Sequence, residues 1–259
     1  MEGCTCSANQ LNCCHNGHWI RLNSLLPTTD QIKGYMDTSA ARQAIFKRIR
    51  SAHGRPVEVT AAERDAVQDY LQKHSEGPRP VPDADLVAHF TAQALRMSDT
   101  VERVASQADV PAAVARYLNS ISVAPAAIAW QTLSTLDWLA AGVAVEFRPP
   151  VDQDLVGITG CFCAIAETGT LMLLSGRDTF ASAALLPETH IAIVPAARIV
   201  AAMEDGFALA RAEFGELPRA TNFISGPSRT GDIEQTIVLG AHGPYRVHVV
   251  IVGDGAAHE

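Results

Sequence analysis

Two short runs of almost uninterrupted apolar residues constrain the fold more than any other feature of this sequence. They are HIAIV at residues 190–194 and VHVVIV at residues 247–252. A strand that is apolar at nearly every position needs cover on both faces, which a parallel sheet between helices provides. Residues 199–214 lie between the two runs and show the period of an amphipathic helix. The sequence therefore predicts an α/β fold with a mostly parallel sheet.

Three further helices are predicted nearer the N-terminus, at residues 38–52, 60–74 and 83–97. Each begins with Ser, Thr or Asp, residue types that cap helix N-termini. Proline residues in segment 77–82 separate the second helix from the third, because proline interrupts a continuous helix. We therefore expect an N-terminal helical segment over residues 36–80 and an α/β domain over residues 81–259.

The composition of the chain excludes several classes of protein. Hydrophobic residues make up 47% of the 259 residues and charged residues 19%, which indicates a large buried core. The net charge is −8 and no block of consecutive Lys or Arg occurs, so we expect no nucleic-acid partner. The longest apolar stretches fall short of the roughly 20 residues that cross a bilayer, and the N-terminus lacks the pattern of a signal peptide. We expect a cytoplasmic protein without a transmembrane segment.

Four cysteines and two histidines crowd near the N-terminus: Cys4, Cys6, Cys13, Cys14, His15 and His18. Structural zinc sites usually pair cysteines two to four residues apart in two separate knuckles, and this cluster does not match that spacing. Residues 1–35 also lack a clear helical or strand period. We therefore predict an unstructured extension over residues 1–35 and no metal site.

Glycine and small polar residues concentrate in two segments, at residues 157–176 and 224–244. Both segments adjoin predicted strands, and α/β sheets bind ligands in the crevice beyond the carboxyl ends of their strands. Backbone amides near Gly226, Pro227 and Gly231 could face an anion, with Arg229 gripping a carboxylate or phosphate. A tight turn explains such loops equally well. Neither segment contains a dinucleotide or nucleoside triphosphate fingerprint.

The strings AETGTLMLLSG, LLPETHIAIVP and SGPSRTGDIEQTIVLGAHGP, followed by VHVVIV, resemble the LUD domain of the lactate utilization protein C family. The resemblance spans roughly residues 36–252. It implies a three-layer fold similar to ribose-5-phosphate isomerase and CoA-transferase. It also implies a part in bacterial L-lactate oxidation, together with partner proteins that carry iron-sulfur clusters.

Two residues are candidates for catalysis, Glu167 and His242. The candidates for ligand binding lie in or beside the two glycine-rich segments: Thr168, Gly169, Thr170, His190, Ser225, Gly226, Pro227, Ser228, Arg229, Thr230, Asp232 and Glu234.

Several of these candidates also have a structural explanation. Glu167 could cap local backbone amides, and His190 could be a hydrogen-bonded histidine at a strand entry. Asp232 and Glu234 fall at the predicted start of a helix, where the helix dipole alone favours acidic residues.

Cys161 and Cys163 depart from the family, since we expect small or acidic residues at these two positions. The favoured interpretation is that both are small buried hydrophobic residues rather than a reactive or metal-binding pair.

Oxidation of lactate to pyruvate requires a base, a group that binds the carboxylate and an electron acceptor. The chain offers the first two, but it contains no cysteine run typical of an iron-sulfur protein and no dinucleotide fingerprint. We therefore expect no cofactor in this chain, iron-sulfur clusters on partner subunits, and lactate or pyruvate as the ligand. Two alternatives remain open: a stand-alone enzyme acting on a small phosphorylated or CoA-linked acid, and a non-catalytic module that binds a carboxylate.

Overall fold

The computed structural model describes residues 37–56, 58–74, 77–80, 84–233 and 236–253, and the backbone of two paired strands nearer the N-terminus. These strands are β1 (Asn12–His15) and β2 (His18–Arg21). The predictions of an extension over residues 1–35 and of no metal site in its cysteine and histidine cluster lie outside the described residues, apart from these two strands. Contacts within the chain divide it into two units, Met1–Ser75 and Glu76–Glu259.

The first unit contains two of the predicted helices, α1 (Ser39–Ala52) and α2 (Ala61–Lys73). Helix α2 begins with a capping box, in which Thr60 Oγ1 accepts a hydrogen bond from the Glu63 backbone amide at 3.2 Å. The Thr60 amide donates in turn to the Glu63 carboxylate at 3.0 Å. None of the residues that form α1 and α2 is buried. A capping box therefore defines the start of α2, and neither helix is held by buried side chains of its own.

A six-stranded sheet, parallel throughout, forms the centre of the second unit. Its strands are β3 (Thr100–Val104), β4 (Ala126–Ala129), β5 (Ala144–Glu146), β6 (Val156–Gly160), β9 (Thr189–Pro195) and β14 (Arg246–Val252). They lie in the order β3-β14-β9-β6-β4-β5. The two apolar runs of the sequence are the interior strands β9 and β14, which confirms the prediction of a mostly parallel sheet.

Apolar side chains project from both faces of this sheet and pack against helices. On one face, Val114 and Leu118 of α4 (Val110–Ser120) pack in a cluster with Ile158 of β6. On the other face, α3 (Leu86–Arg96) and α5 (Ser182–Leu185) pack in a cluster with strands β9 and β14. The predicted three-layer α/β arrangement is therefore confirmed. Among the described residues, no helix has the length and apolar character that a membrane span requires.

A second, four-stranded sheet was not predicted. It consists of β7 (Cys163–Ile165), β8 (Thr170–Leu174), β10 (Ile199–Val200) and β11 (Thr221–Ile224), in the order β10-β7-β8-β11. Helix α6 (Met203–Phe214) covers one face of this sheet, where Ala210 packs with Cys163 and Met172. The prediction of a helix over residues 199–214 is wrong for its first residues, because Ile199 and Val200 pair with β7 as a strand.

The described elements are completed by a hairpin of β12 (Arg229–Ile233) and β13 (Thr236–Leu239) and by three short 3-10 helices, at Gln107–Asp109, Gln131–Leu133 and Ala196–Arg198. The prediction that a helix begins near Asp232 and Glu234 is wrong for Asp232, which lies inside strand β12. Glu234 lies outside the described residues. Residues with β-branched side chains, such as Thr230 and Val238, pair across this hairpin and favour the strand.

Candidate functional site

The two glycine-rich segments converge on the carboxyl end of α3. Gly169, in the turn between β7 and β8, has a φ of +66°, and a Cβ added there would lie 2.5 Å from the Ala94 nitrogen. Gly226 follows β11 with a φ of +82°, and its Cβ would lie 2.4 Å from the Met97 carbonyl oxygen. Only glycine combines a positive φ with so close an approach of two backbones. The two segments are distant in sequence, yet both pack against the carboxyl end of α3.

Arg229 completes this junction from strand β12. Its Nη2 donates hydrogen bonds to the Met97 carbonyl oxygen and to Ser98 Oγ, each at 2.6 Å. A positive charge is favourable at the carboxyl end of a helix, where carbonyl groups lack partners within the helix. The structure therefore gives Arg229 a capping role on α3, while ligand binding by Arg229 stays a prediction.

The segment around Arg229 lies at the amino edge of the central sheet. Ser98 comes just before β3, and the Ser228 amide donates to the Pro244 carbonyl at 2.8 Å, just before β14. The prediction that this segment borders the crevice beyond the carboxyl ends of the strands is therefore wrong. The other predicted ligand-binding residues of the segment lie beside Arg229 along the chain: Ser225, Gly226, Pro227 and Ser228 connect β11 to β12, and Thr230 lies within β12.

A buried carboxylate beside this junction was missed by sequence reasoning. Asp99 is only 4% exposed, and neither of its carboxylate oxygens has a hydrogen-bond partner among the described residues. Burial raises the pKa of Asp99 to about 7, although the charge of Arg229 opposes part of that shift. Asp99 therefore exchanges its proton near neutral pH.

Glu167 lies in the same turn as Gly169 and borders a cavity of about 820 Å³, called here the Glu167 cavity. Its backbone amide donates to the Ala201 carbonyl at 3.0 Å. The half-buried carboxylate has no hydrogen bond or ion pair within the described residues. The turn is fixed by a 2.7 Å hydrogen bond between the hydroxyls of Thr168 and Thr170. The turn thus places at the edge of a cavity a carboxylate that has no partner in the described part of the chain.

The Glu167 cavity is also lined by polar side chains that the sequence did not point out. His89 and Gln93 face it from α3, with 3.5 Å between His89 Nε2 and Gln93 Nε2. Arg79 and Asp205 complete the wall as an ion pair, with 2.7 Å between Arg79 Nη1 and Asp205 Oδ1. The cavity therefore combines an acid–base group, a cation and hydrogen-bonding groups.

The two predicted histidines lie elsewhere. His190 is fully buried within β9, with its Nε2 2.8 Å from Thr159 Oγ1, and burial lowers its pKa to about 3. His242 is exposed and borders a cavity of about 450 Å³ with Glu188 and Tyr245, which precede β9 and β14 at the amino edge. Neither histidine lines the Glu167 cavity. The structure therefore does not bring Glu167 and His242 into one site.

A third cavity, of about 880 Å³, lies at the carboxyl edge of the central sheet. It is lined by Trp130 and Thr132, which follow β4, and by Gly160, Cys161 and Phe162 at the end of β6. From β4 the chain continues to β5 on one side, whereas from β6 it continues to β9 on the other. Such a reversal between neighbouring strands is a topological switch point, and we call this cavity the switch-point cavity.

The two cysteines flagged in the sequence have different surroundings. Cys163 is buried against Met172, and burial raises the pKa of its thiol to about 11. Cys161 is half-buried and lines the switch-point cavity, and burial also raises the pKa of its thiol. Both thiols therefore stay protonated at neutral pH, as expected of small hydrophobic residues. The glycine-rich segment at residues 157–176, which contains Gly160, Cys161 and Gly176, was the sequence signal that pointed toward this cavity.

Comparison with known proteins identifies the family. The LUD domain matches residues 86–252. Lactate utilization protein C of Bacillus subtilis is 36% identical over 136 residues, which is 48% of this chain and only 57% of that protein. The Exiguobacterium protein of the same name is 30% identical over 228 residues, 84% of this chain and 98% of that protein.

A solved structure agrees with these matches. A DUF162 family protein from Deinococcus radiodurans has a TM-score of 0.51 and 27% sequence identity, covering 67% of this chain and 100% of that one. The resemblance predicted from the glycine-rich strings is confirmed, since the family match extends over more than half of the chain. The chain belongs to the LUD domain family.

Proposed function

We propose that the protein acts in lactate utilization and binds lactate or pyruvate in the Glu167 cavity. In this proposal it is a cytoplasmic subunit of an L-lactate oxidation system, with the iron-sulfur clusters on partner proteins and no redox cofactor of its own. Support comes from the relatives named lactate utilization protein C, one of which aligns over 98% of its length.

The position of Glu167 carries the chemical part of the proposal. Oxidation of lactate to pyruvate breaks the O–H and C–H bonds of the alcohol carbon and releases two protons and two electrons. An ionised carboxylate only accepts hydrogen bonds, so Glu167 can take the hydroxyl proton directly. The iron-sulfur clusters of the partner proteins would supply the acceptor for the two electrons, and the proton from the C–H bond would pass to solvent water.

The walls of the cavity supply the other contacts. The Arg79 guanidinium carries five N–H donors, and the ion pair with Asp205 fixes its position. A planar guanidinium suits the carboxylate of lactate, while Gln93 and His89 provide hydrogen bonds from the α3 side. A volume of about 820 Å³ is larger than a lactate molecule requires.

The test is the substitution Glu167→Gln in the full chain, with Glu58→Gln as a matched control on an exposed residue of the first unit. Loss of a general base typically lowers a rate by about 10²–10⁴-fold, so a strain carrying only Glu167→Gln should fail to grow on L-lactate. Its melting temperature should equal that of the wild type, because the Glu167 carboxylate has no partner among the residues that the structure describes. Pyruvate binding, measured by calorimetry, should persist.

Two results would contradict the proposal. Normal growth of the Glu167→Gln strain would show that this carboxylate takes no proton in the reaction. Failure of the wild-type chain to bind either lactate or pyruvate would remove the Glu167 cavity as the ligand site.

A further inference from the structure

We propose that the switch-point cavity binds a second ligand, an aromatic organic acid with one negative charge. This inference does not rest on the proposed role in lactate utilization, because it concerns a different cavity and a different class of ligand.

The first support is the position of the cavity. In open α/β sheets, ligands bind beyond the carboxyl ends of the strands, at the point where the strand order reverses. Here the reversal falls between β4 and β6, and the cavity is lined by the residues that follow both strands. Loops that diverge from neighbouring strands leave a crevice between them, so the fold itself creates this opening.

The second support is the size and the aromatic lining of the cavity. Its volume of about 880 Å³ falls within the range of about 300–1,000 Å³ that accommodates a drug-sized organic molecule. Trp130 is held in the wall by a 3.0 Å hydrogen bond from its Nε1 to the Phe180 carbonyl. The Arg198 guanidinium lies 4.6 Å from the centroid of the Phe162 ring, and the Phe214 ring lies 5.8 Å from it, centroid to centroid. These contacts fix apolar surfaces in place before any ligand arrives.

The third support is the charge of the lining, which sets the charge of the ligand. Arg198 is committed to Glu213, with 3.1 Å between Arg198 Nη2 and Glu213 Oε2. Arg177 is exposed and forms no ion pair with any residue in the described part of the chain, so its guanidinium can receive an anion. Asp178 and Glu216 also line the cavity and repel further negative charge. A monoanion therefore fits better than a polyphosphate.

The test uses anilinonaphthalene sulfonate, an aromatic monoanion whose fluorescence rises in apolar surroundings, with the full wild-type chain. We expect Arg177→Ala to weaken binding about tenfold, since one charge-assisted contact is lost. Arg103→Ala is the matched control, because Arg103 is an exposed arginine on β3 that does not line the cavity. The uncharged analogue phenylnaphthylamine should bind the wild type and Arg177→Ala equally well.

A second variant and a competition test cover the remaining outcomes. Thr132→Trp places a large ring in the mouth of the cavity at an exposed position and should abolish binding of both probes. Naphthoate should displace the sulfonate probe at lower concentration than ATP. Unchanged binding by both Arg177→Ala and Thr132→Trp would place the probe elsewhere and overturn the proposal. Displacement by ATP as effective as by naphthoate would overturn the assignment of a monoanion.

Discussion

Replacing Asp99 by asparagine should stabilise the protein at pH 8 but not at pH 4. The Asp99 side chain is buried without a hydrogen-bond partner in the described structure, and its pKa is raised from 3.8 to about 7. The folded state therefore binds this proton more tightly than the unfolded chain does. Its contribution to stability is complete below pH 3.8 and is lost as the pH rises to about 7.

The magnitude follows from the same shift. Each pKa unit corresponds to about 1.36 kcal/mol, so the raised pKa of Asp99 costs the folded state about 4 kcal/mol at pH 8. Asparagine removes the charge but buries an amide that also needs partners, which reduces the expected gain to about 2–4 kcal/mol.

The assay is urea denaturation of the wild type and Asp99→Asn between pH 4 and pH 8, with Asp152→Asn as a control at an exposed position. Other groups with shifted pKa values, such as His190 and His248, titrate in both proteins, so their effects cancel in the difference. An equal difference at both pH values, or a less stable Asp99→Asn at pH 8, would refute this reasoning. The carboxylate would then be ionised and paired in the folded protein.

Two more predictions concern stability. The pKa of His190 is lowered from 6.5 to about 3, so the wild type should lose stability as the pH falls through this window, and urea titration of His190→Gln should show a smaller loss. Gly226→Ala should lose about 2–4 kcal/mol in the same assay, because the new Cβ would lie 2.4 Å from the Met97 carbonyl oxygen at a positive φ. Gly231→Ala, whose Cβ meets nothing within 4 Å, should stay within about 0.5 kcal/mol of the wild type. Equal losses by the two alanine variants would contradict the assigned contact.

Local patterns in the sequence predicted the central sheet but not the second one. Strands β9 and β14 are seven residues each and apolar almost throughout, so burial on both faces is visible in the residues themselves. Strands β7 and β10 contain only three and two residues. Such short strands show no period of their own and exist because distant segments pair with them. For the same reason, the helix predicted over residues 199–214 wrongly included the two residues of β10.

The candidate site was likewise predicted only in part from the sequence. Glu167 could be proposed from its glycine- and threonine-rich turn, which is a local signal. Asp99 gave no such signal, because its burial depends on packing around the end of α3, near Arg229 from a segment more than a hundred residues away. The cavity at the switch point depends on strand order, which periodicity does not specify. Patterns of residue type therefore identified turns but not the cavities or buried charges that folding assembles around them.

The packing of α3 determines where recombination could join this chain to a foreign sequence without breaking its core. Phe90 and Ala94 of α3 are fully buried in the core of the sheet, and the turns at Gly169 and Gly226 rest against its last residues. Recombination that joins a foreign segment ahead of α3 leaves these contacts unbroken. A junction between α3 and β3 would separate the sheet from the helix on which both turns depend. The residues before Arg79 can therefore vary without disturbing these contacts, whereas Arg79, which lines the Glu167 cavity, must be retained together with α3 and the sheet.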